Sequence, residues 1–116
     1  MHPESLAMLR VVLEHHRFNI VRADGTVPPR EECLITYGDL CDQAGVPHLT
    51  RRPGIFLAEV AHWCVERGLP PINALAVNGE TGMPGDNYDE APGCHLLTWP
   101  AEVDAVIAEH HYPETI

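Results

Sequence analysis

Cys94-His95, with Asp86, Asp89 and Glu90 shortly before it, is the one local cluster in this 116-residue chain that combines several kinds of metal ligand. Thiolate, imidazole and carboxylate together can hold a divalent cation, so Cys94 and His95 are the candidate ligands. The expected state of the segment is a polar loop with no cofactor. The other chemistry-bearing residues are scattered. Cys33, Cys41, Cys64 and Cys94 form no Cys-x-x-Cys pair, which disfavours a zinc ribbon. Small buried thiols are the expectation for them. His15-His16 and His110-His111 are adjacent pairs, and neighbours on a helix point about 100° apart, so neither chelates alone. Gly79, Gly82 and Gly85 recur every three residues without opening a helix, so no phosphate loop is formed. No serine sits in a nucleophile turn. The chain is expected to be non-enzymatic.

The same segment carries a second kind of chemistry. Glu80, Asp86, Asp89 and Glu90 surround Met83 and Tyr88 in a loop rich in turn residues. Aromatic and methionine side chains anchor interfaces while charges steer approach. These six residues are therefore the expected contact surface for a basic protein partner.

The charge distribution points the same way. All seven basic residues are arginine, against seventeen carboxylates and a net charge of −10. Residues 1–67 hold nine acids and seven arginines, a net of −2, whereas residues 68–116 hold eight acids and no arginine. A surface that negative repels phosphate backbones and attracts basic ones over a Debye length of about 8 Å. No run of about 20 apolar residues suggests a membrane span, and the start lacks the basic-then-apolar pattern of a signal peptide. A cytoplasmic protein without a membrane role is expected.

The elements that position these residues follow from periodicity and punctuation. One domain, 1–116, is expected at this length. Leu6, Leu9, Val12 and Leu13 are at helical spacing, predicting a helix over 5–17 capped by Ser5. Phe18, Ile20 and Val21 form a short β-prone run before the Ala23-Asp24-Gly25 turn. Thr36 opens a capping box with Asp39, and Gly45 ends that short helix. After the Val46–Thr50 turn, Pro53 suits the first turn of a helix running to about Arg67. Its expected apolar face is Ile55, Phe56, Val60, Trp63 and Cys64. Ile72 to Val77 reads as a buried strand, and Asn78-Gly79 as a strong turn. The acidic loop occupies 79–97, and Thr98 or Trp99 starts a last helix over 98–112 with Val103, Val106 and Ile107 inward. The fold class is α+β: a helix-turn-helix (winged-helix-like) core over 35–78, a small sheet, and flanking N- and C-terminal helices.

Ile35-Thr36-Tyr37-Gly38-Asp39-Leu40, then Ala44-Gly45-Val46-Pro47, then Arg52-Pro53-Gly54 resembles the DNA-binding region of the alkylguanine-DNA alkyltransferases and alkyltransferase-like proteins. Their pattern reads Val-Thr-Tyr-Gly-x-Leu-Ala, an Ala-Gly-x-Pro turn, and Arg-x-Val-Gly before the recognition helix. The resemblance covers about 45 of the 116 residues and implies Thr36, Tyr37, Arg51 and Arg52 as DNA-binding residues. It implies that Tyr37 contacts the DNA backbone and that Arg52 props the duplex after base flipping. Where the family has Pro-Cys-His-Arg, this chain has Pro71-Ile72-Asn73-Ala74-Leu75. Alkyl transfer needs an activated thiolate; Cys94 lies some twenty residues too late, among acids that raise a thiol pKa.

The leading expectation is a non-catalytic acidic interaction protein that binds and inhibits or regulates a basic, nucleic-acid-handling partner. A phage or mobile-element inhibitor of a host defence complex is one form, and a toxin-neutralising protein another. A winged-helix DNA-binding protein of alkyltransferase-like type is the alternative, disfavoured by net charge because phosphate affinity comes from cations. A metal-binding regulator centred on Cys94 and His95 is the third.

Overall fold

The computed structural model describes residues 1–20, 28–85, 88, 98–114 and 116. Among the described residues, five α-helices and two very short strands are set in the order α1 (Pro3–Asn19), α2 (Arg30–Cys33), β1 (Ile35–Thr36), α3 (Tyr37–Gln43), α4 (Gly54–Glu66), β2 (Ala76–Val77) and α5 (Trp99–Ala108). Short 3₁₀ turns at Pro47–Leu49 and Ile72–Leu75 link them. The fold is mostly helical with one small sheet, in keeping with α+β. No helix among the described residues is long and apolar enough to cross a membrane.

α1 is longer than the sequence predicts at both ends. Pro3 takes the first helical position behind His2, where its missing N–H costs nothing. Ser5 therefore lies inside the helix and does not cap it; its hydroxyl donates to Glu59 Oε1 on α4 at 2.6 Å. The β-prone run is overridden as well. Phe18 stays helical, and Ile20 closes the helix with its N–H on the His16 carbonyl at 3.0 Å. Tertiary burial of Ile20, at 2% exposure, outweighs its strand propensity. Val21 and the Ala23-Asp24-Gly25 turn lie outside the described residues.

α3 starts where its cap places it: Thr36 Oγ1 accepts the Asp39 N–H at 3.1 Å. Gly45 ends the turn that follows with φ +77°, a conformation a Cβ would strain. α4 begins one residue later than expected, with Pro53 as its N-cap. Its buried face is Leu57, Val60, Ala61, Trp63 and Cys64, the i, i+3, i+4, i+7 stripe that helix geometry aligns. Ile55 falls off that stripe and is exposed, contrary to the expected apolar face. The expected strand over Ile72 to Val77 is mostly a 3₁₀ turn. Only Ala76 and Val77 pair, in parallel with Ile35 and Thr36. Such a pair cannot be joined by a hairpin, and the intervening chain forms a helical crossover. No antiparallel wing occurs among the described residues.

The core joins Met8, Leu9, Val12 and Leu13 of α1 to Leu40, Val60, Cys64, Ile72, Leu75, Val103 and Val106. Met8 takes the place expected of Leu6, which is only half-buried. Cys33, Cys41 and Cys64 are all buried in the core. α5 spans Trp99–Ala108, shorter than 98–112, and Thr98 makes no side-chain cap. It is tied to the 3₁₀ turn by Trp99 Nε1 donating to the Ala74 carbonyl at 2.9 Å, and to α1 by His16 Nε2 on the Val106 carbonyl at 2.8 Å. Beyond it, Tyr112 donates its hydroxyl to the Pro70 carbonyl at 2.6 Å.

Candidate functional site: a cavity at two helix starts

The N-terminal ends of α3 and α4 converge, and the turn after β2 closes over them. Between them lies a cavity of about 910 Å³, in the range of roughly 300–1,000 Å³ typical of small-molecule sites. Thr36 and Tyr37 form one wall, Arg51, Arg52 and Ile55 a second, and Asn78 to Glu80 with Gly85 and Tyr88 a third. Asn73, only 3% exposed, contributes from the 3₁₀ turn.

Each wall is set by local chemistry. Thr36 fixes the start of α3 and therefore the direction of Tyr37. The Tyr37 hydroxyl accepts the Gly85 N–H at 2.7 Å. Burial raises its pKa above the ordinary 10, partly opposed by that hydrogen bond. The phenol therefore stays protonated at neutral pH. A hydroxyl that accepts one bond can still donate another, and accepting from Gly85 polarises the O–H for that purpose.

The second wall is anchored by buried Pro53 and by the Arg52 N–H, which donates to the Leu49 carbonyl at 2.9 Å. That leaves both arginine side chains on the surface. Most of the other arginines are engaged: Arg30 forks onto Asp104 at 3.0 Å, Arg67 lies 4.4 Å over Trp63, and Arg17 lies 4.8 Å over Phe18. The guanidinium groups of Arg51 and Arg52 have no ion-pair or hydrogen-bond partner among the described residues. Two uncommitted cations thus flank an aromatic and an amide.

The turn from Asn78 to Met83 is closed rather than open. Asn78 exchanges bonds with Gly82 and Met83 at 2.8 Å each, and its side chain accepts the Glu80 N–H at 2.8 Å. Gly82 supplies the φ of +70° that the turn requires. Glu80 and Met83 are exposed, but only Glu80 reaches the cavity. Tyr88 is not the exposed anchor expected from sequence. It is half-buried, packs against Ala61, and donates its hydroxyl to buried Glu102 Oε2 at 2.6 Å. A phenol beside apolar helix surface buries more area inward than it could facing water. Asp86, Asp89 and Glu90 lie outside the described residues, as do Cys94 and His95. Among the described residues, no three His, Cys, Asp or Glu side chains gather as a metal site would need.

The structure therefore brings together Thr36, Tyr37, Arg51, Arg52 and Glu80, and leaves Met83 apart. Asn73 and Gly85 join the site without any sequence signal, since each enters only by the approach of a distant segment, and Ile55 joins it because it falls off the buried stripe of α4. No cysteine or histidine among the described residues lines the cavity. The lining offers two guanidinium cations, a neutral phenol and a carboxamide, together with the Glu80 carboxylate. Comparison of the chain with protein-family models, curated proteins and solved structures finds no match.

Proposed function

We propose that this protein is a non-catalytic module that takes one unpaired nucleotide of a nucleic acid into the cavity, on a helix-turn-helix scaffold of alkyltransferase-like type. The observation that carries this reading is the convergence of Thr36, Tyr37, Arg51 and Arg52, 16 residues apart along the chain at the extremes, on one cavity with Asn73 inside it. Arginine forks match phosphate oxygens, the Tyr37 hydroxyl supplies a neutral donor, and an aromatic wall with an amide suits a base. Asn73 falls within the segment where the resembling family keeps its nucleophile, and an amide cannot accept an alkyl group as a thiolate does.

The charge balance decides which nucleotide. Two arginines neutralise about two phosphates, so binding has a salt slope of roughly −2 and little non-specific strength. Affinity that modest does not extract a base from an intact stack, which costs a few kcal/mol. An already unpaired or damaged nucleotide is the substrate that fits. Fluorescence anisotropy with labelled single strands, intact duplex and duplex bearing one unpaired or O6-alkylated guanine tests this at low salt. Saturable binding that prefers unpaired sites, with a log–log salt slope near −2 that flattens in Arg51→Ala/Arg52→Ala, is expected. No binding to any of these at 50 mM salt, or equal binding by the double variant, refutes it.

A second reading keeps its own support. Residues 68–116 carry eight carboxylates and no arginine, with Glu80 and Met83 exposed. That suits the docking of a basic, nucleic-acid-handling protein that the module inhibits or regulates. A defined complex with such a protein, weakened by salt and by Glu80→Lys/Met83→Ser but untouched by Arg51→Ala/Arg52→Ala, favours it over the first.

A further inference from the structure

We propose that Ile55 is a wedge, inserted into the base stack beside the nucleotide the cavity receives. This rests on the nucleotide-binding reading and adds to it a residue that acts on the neighbouring bases rather than on the bound one. Ile55 is the second residue of α4 and is 72% exposed, more than Phe18 at 67% or Met83 at 55%. Single exposed apolar residues are ordinary on protein surfaces. Ile55 differs in its setting: it lines the cavity and follows Arg51 and Arg52 by four and three residues.

The geometry of its neighbours leaves the side chain clear. Gly54, before it, has nothing within 4 Å of where a Cβ would stand, so no side chain crowds the approach of a nucleic acid there. The buried face of α4 begins only at Leu57, so Ile55 has no core to return to. A β-branched side chain on a helix holds essentially one χ1 rotamer, and a stiff wedge loses little entropy on insertion. When a nucleotide leaves a stack, a gap of about 3.4 Å per missing base opens. Isoleucine is among the apolar side chains that fill such gaps and kink the strand. Ile55 would then take over the propping of the duplex that the alkyltransferase resemblance implies for Arg52, which leaves both arginines for the phosphates on either side.

The test uses the full chain with a duplex bearing one unpaired adenosine and 2-aminopurine at the neighbouring step, whose fluorescence rises on unstacking. Wild type, Ile55→Ala and Ile55→Leu are titrated against that duplex and against a matching single strand. Because Ile55 is outside the core, far-UV circular dichroism is expected to be the same for all three. The expected result is a fluorescence rise with wild type and Ile55→Leu. With Ile55→Ala, the rise falls by at least half and duplex affinity drops about tenfold, the worth of one partly buried isoleucine, whereas single-strand affinity, which loses only the cavity-wall contact of Ile55, drops by less. Three outcomes overturn the wedge while leaving nucleotide binding intact: an Ile55→Ala titration equal to wild type, equal losses on duplex and single strand, or no fluorescence rise with wild type despite binding. Absence of wild-type binding to both nucleic acids instead overturns the parent reading. An Ile55→Ala defect confined to binding a protein would assign the residue to a protein interface and overturn the wedge.

Discussion

Replacing Tyr37 by phenylalanine removes one oxygen and keeps the ring, which isolates the contribution of the hydroxyl. That oxygen accepts the Gly85 N–H at 2.7 Å and is the bond by which α3 holds the far end of the turn after β2. A net hydrogen bond contributes about 0.5–1.5 kcal/mol; the bond is near the surface, where water can replace it, so about 0.5–1 kcal/mol is expected. For a domain of this size that lowers the melting temperature by about 2–5 °C. Amide exchange at Gly85 should accelerate while the core helices keep wild-type protection, because the perturbation is local. If the hydroxyl also donates to a phosphate oxygen, a charge-assisted bond is lost, and nucleotide affinity falls about tenfold or more. Thermal melts, exchange by NMR and anisotropy read these three effects separately. Unchanged Gly85 exchange in Tyr37→Phe would refute the latch; unchanged affinity with faster exchange would refute the phosphate contact and leave the latch standing.

Thr36→Ala removes the acceptor of the Asp39 N–H and should lower stability by about 1 kcal/mol, as lost caps do; urea denaturation measures it. The Glu59 carboxyl is held down to about 2 by the Ser5 hydroxyl first, then by the backbone N–H and ring of His2. Its contribution is therefore present above the unfolded value of 4.5 and is lost as pH falls through about 2. In Glu59→Gln the gap in denaturation midpoint from wild type should narrow over that window. His16 moves the other way in charge: burial lowers its pKa, opposed in part by the Val106 carbonyl. The fold binds the neutral ring, so stability present above pH 6.5 should decline as pH falls below it, before the Glu59 window opens. An NMR titration midpoint for His16 at or above 6.5 would refute the assignment of a buried neutral ring.

Much of the helical framework is legible in the residues. The α3 cap at Thr36, its end at Gly45 and the inward stripe of α5 need only local chemistry. Three of the differences share one cause. Ile20 reads as β-prone from its type, and Ile55 and Tyr88 read as inward and exposed from spacing and type, whereas the placement of each is set by what packs next to it. Ile20 is drawn into the core from a helix end, Ile55 is left outside the stripe that begins at Leu57, and Tyr88 turns in toward Ala61 and Glu102. Ile72 to Val77 is apolar and buried as expected. Yet burial alone does not distinguish a strand from a 3₁₀ turn, and pairing with β1 extends over two residues only.

The sequence by itself determined the local stops and starts, the uneven charge, and the pairing of Thr36 and Tyr37 with a helix start, because these depend on neighbours within a few bonds. It also carries the residues, Thr36, Tyr37, Arg51 and Arg52, that the resemblance to the alkyltransferases singles out. The tertiary structure alone decided that they share a cavity with Asn73 and Gly85. Those contacts span up to 48 residues of chain, as between Tyr37 and Gly85. Their geometry follows from how α3, α4 and the turn after β2 pack around one core, which no local pattern encodes.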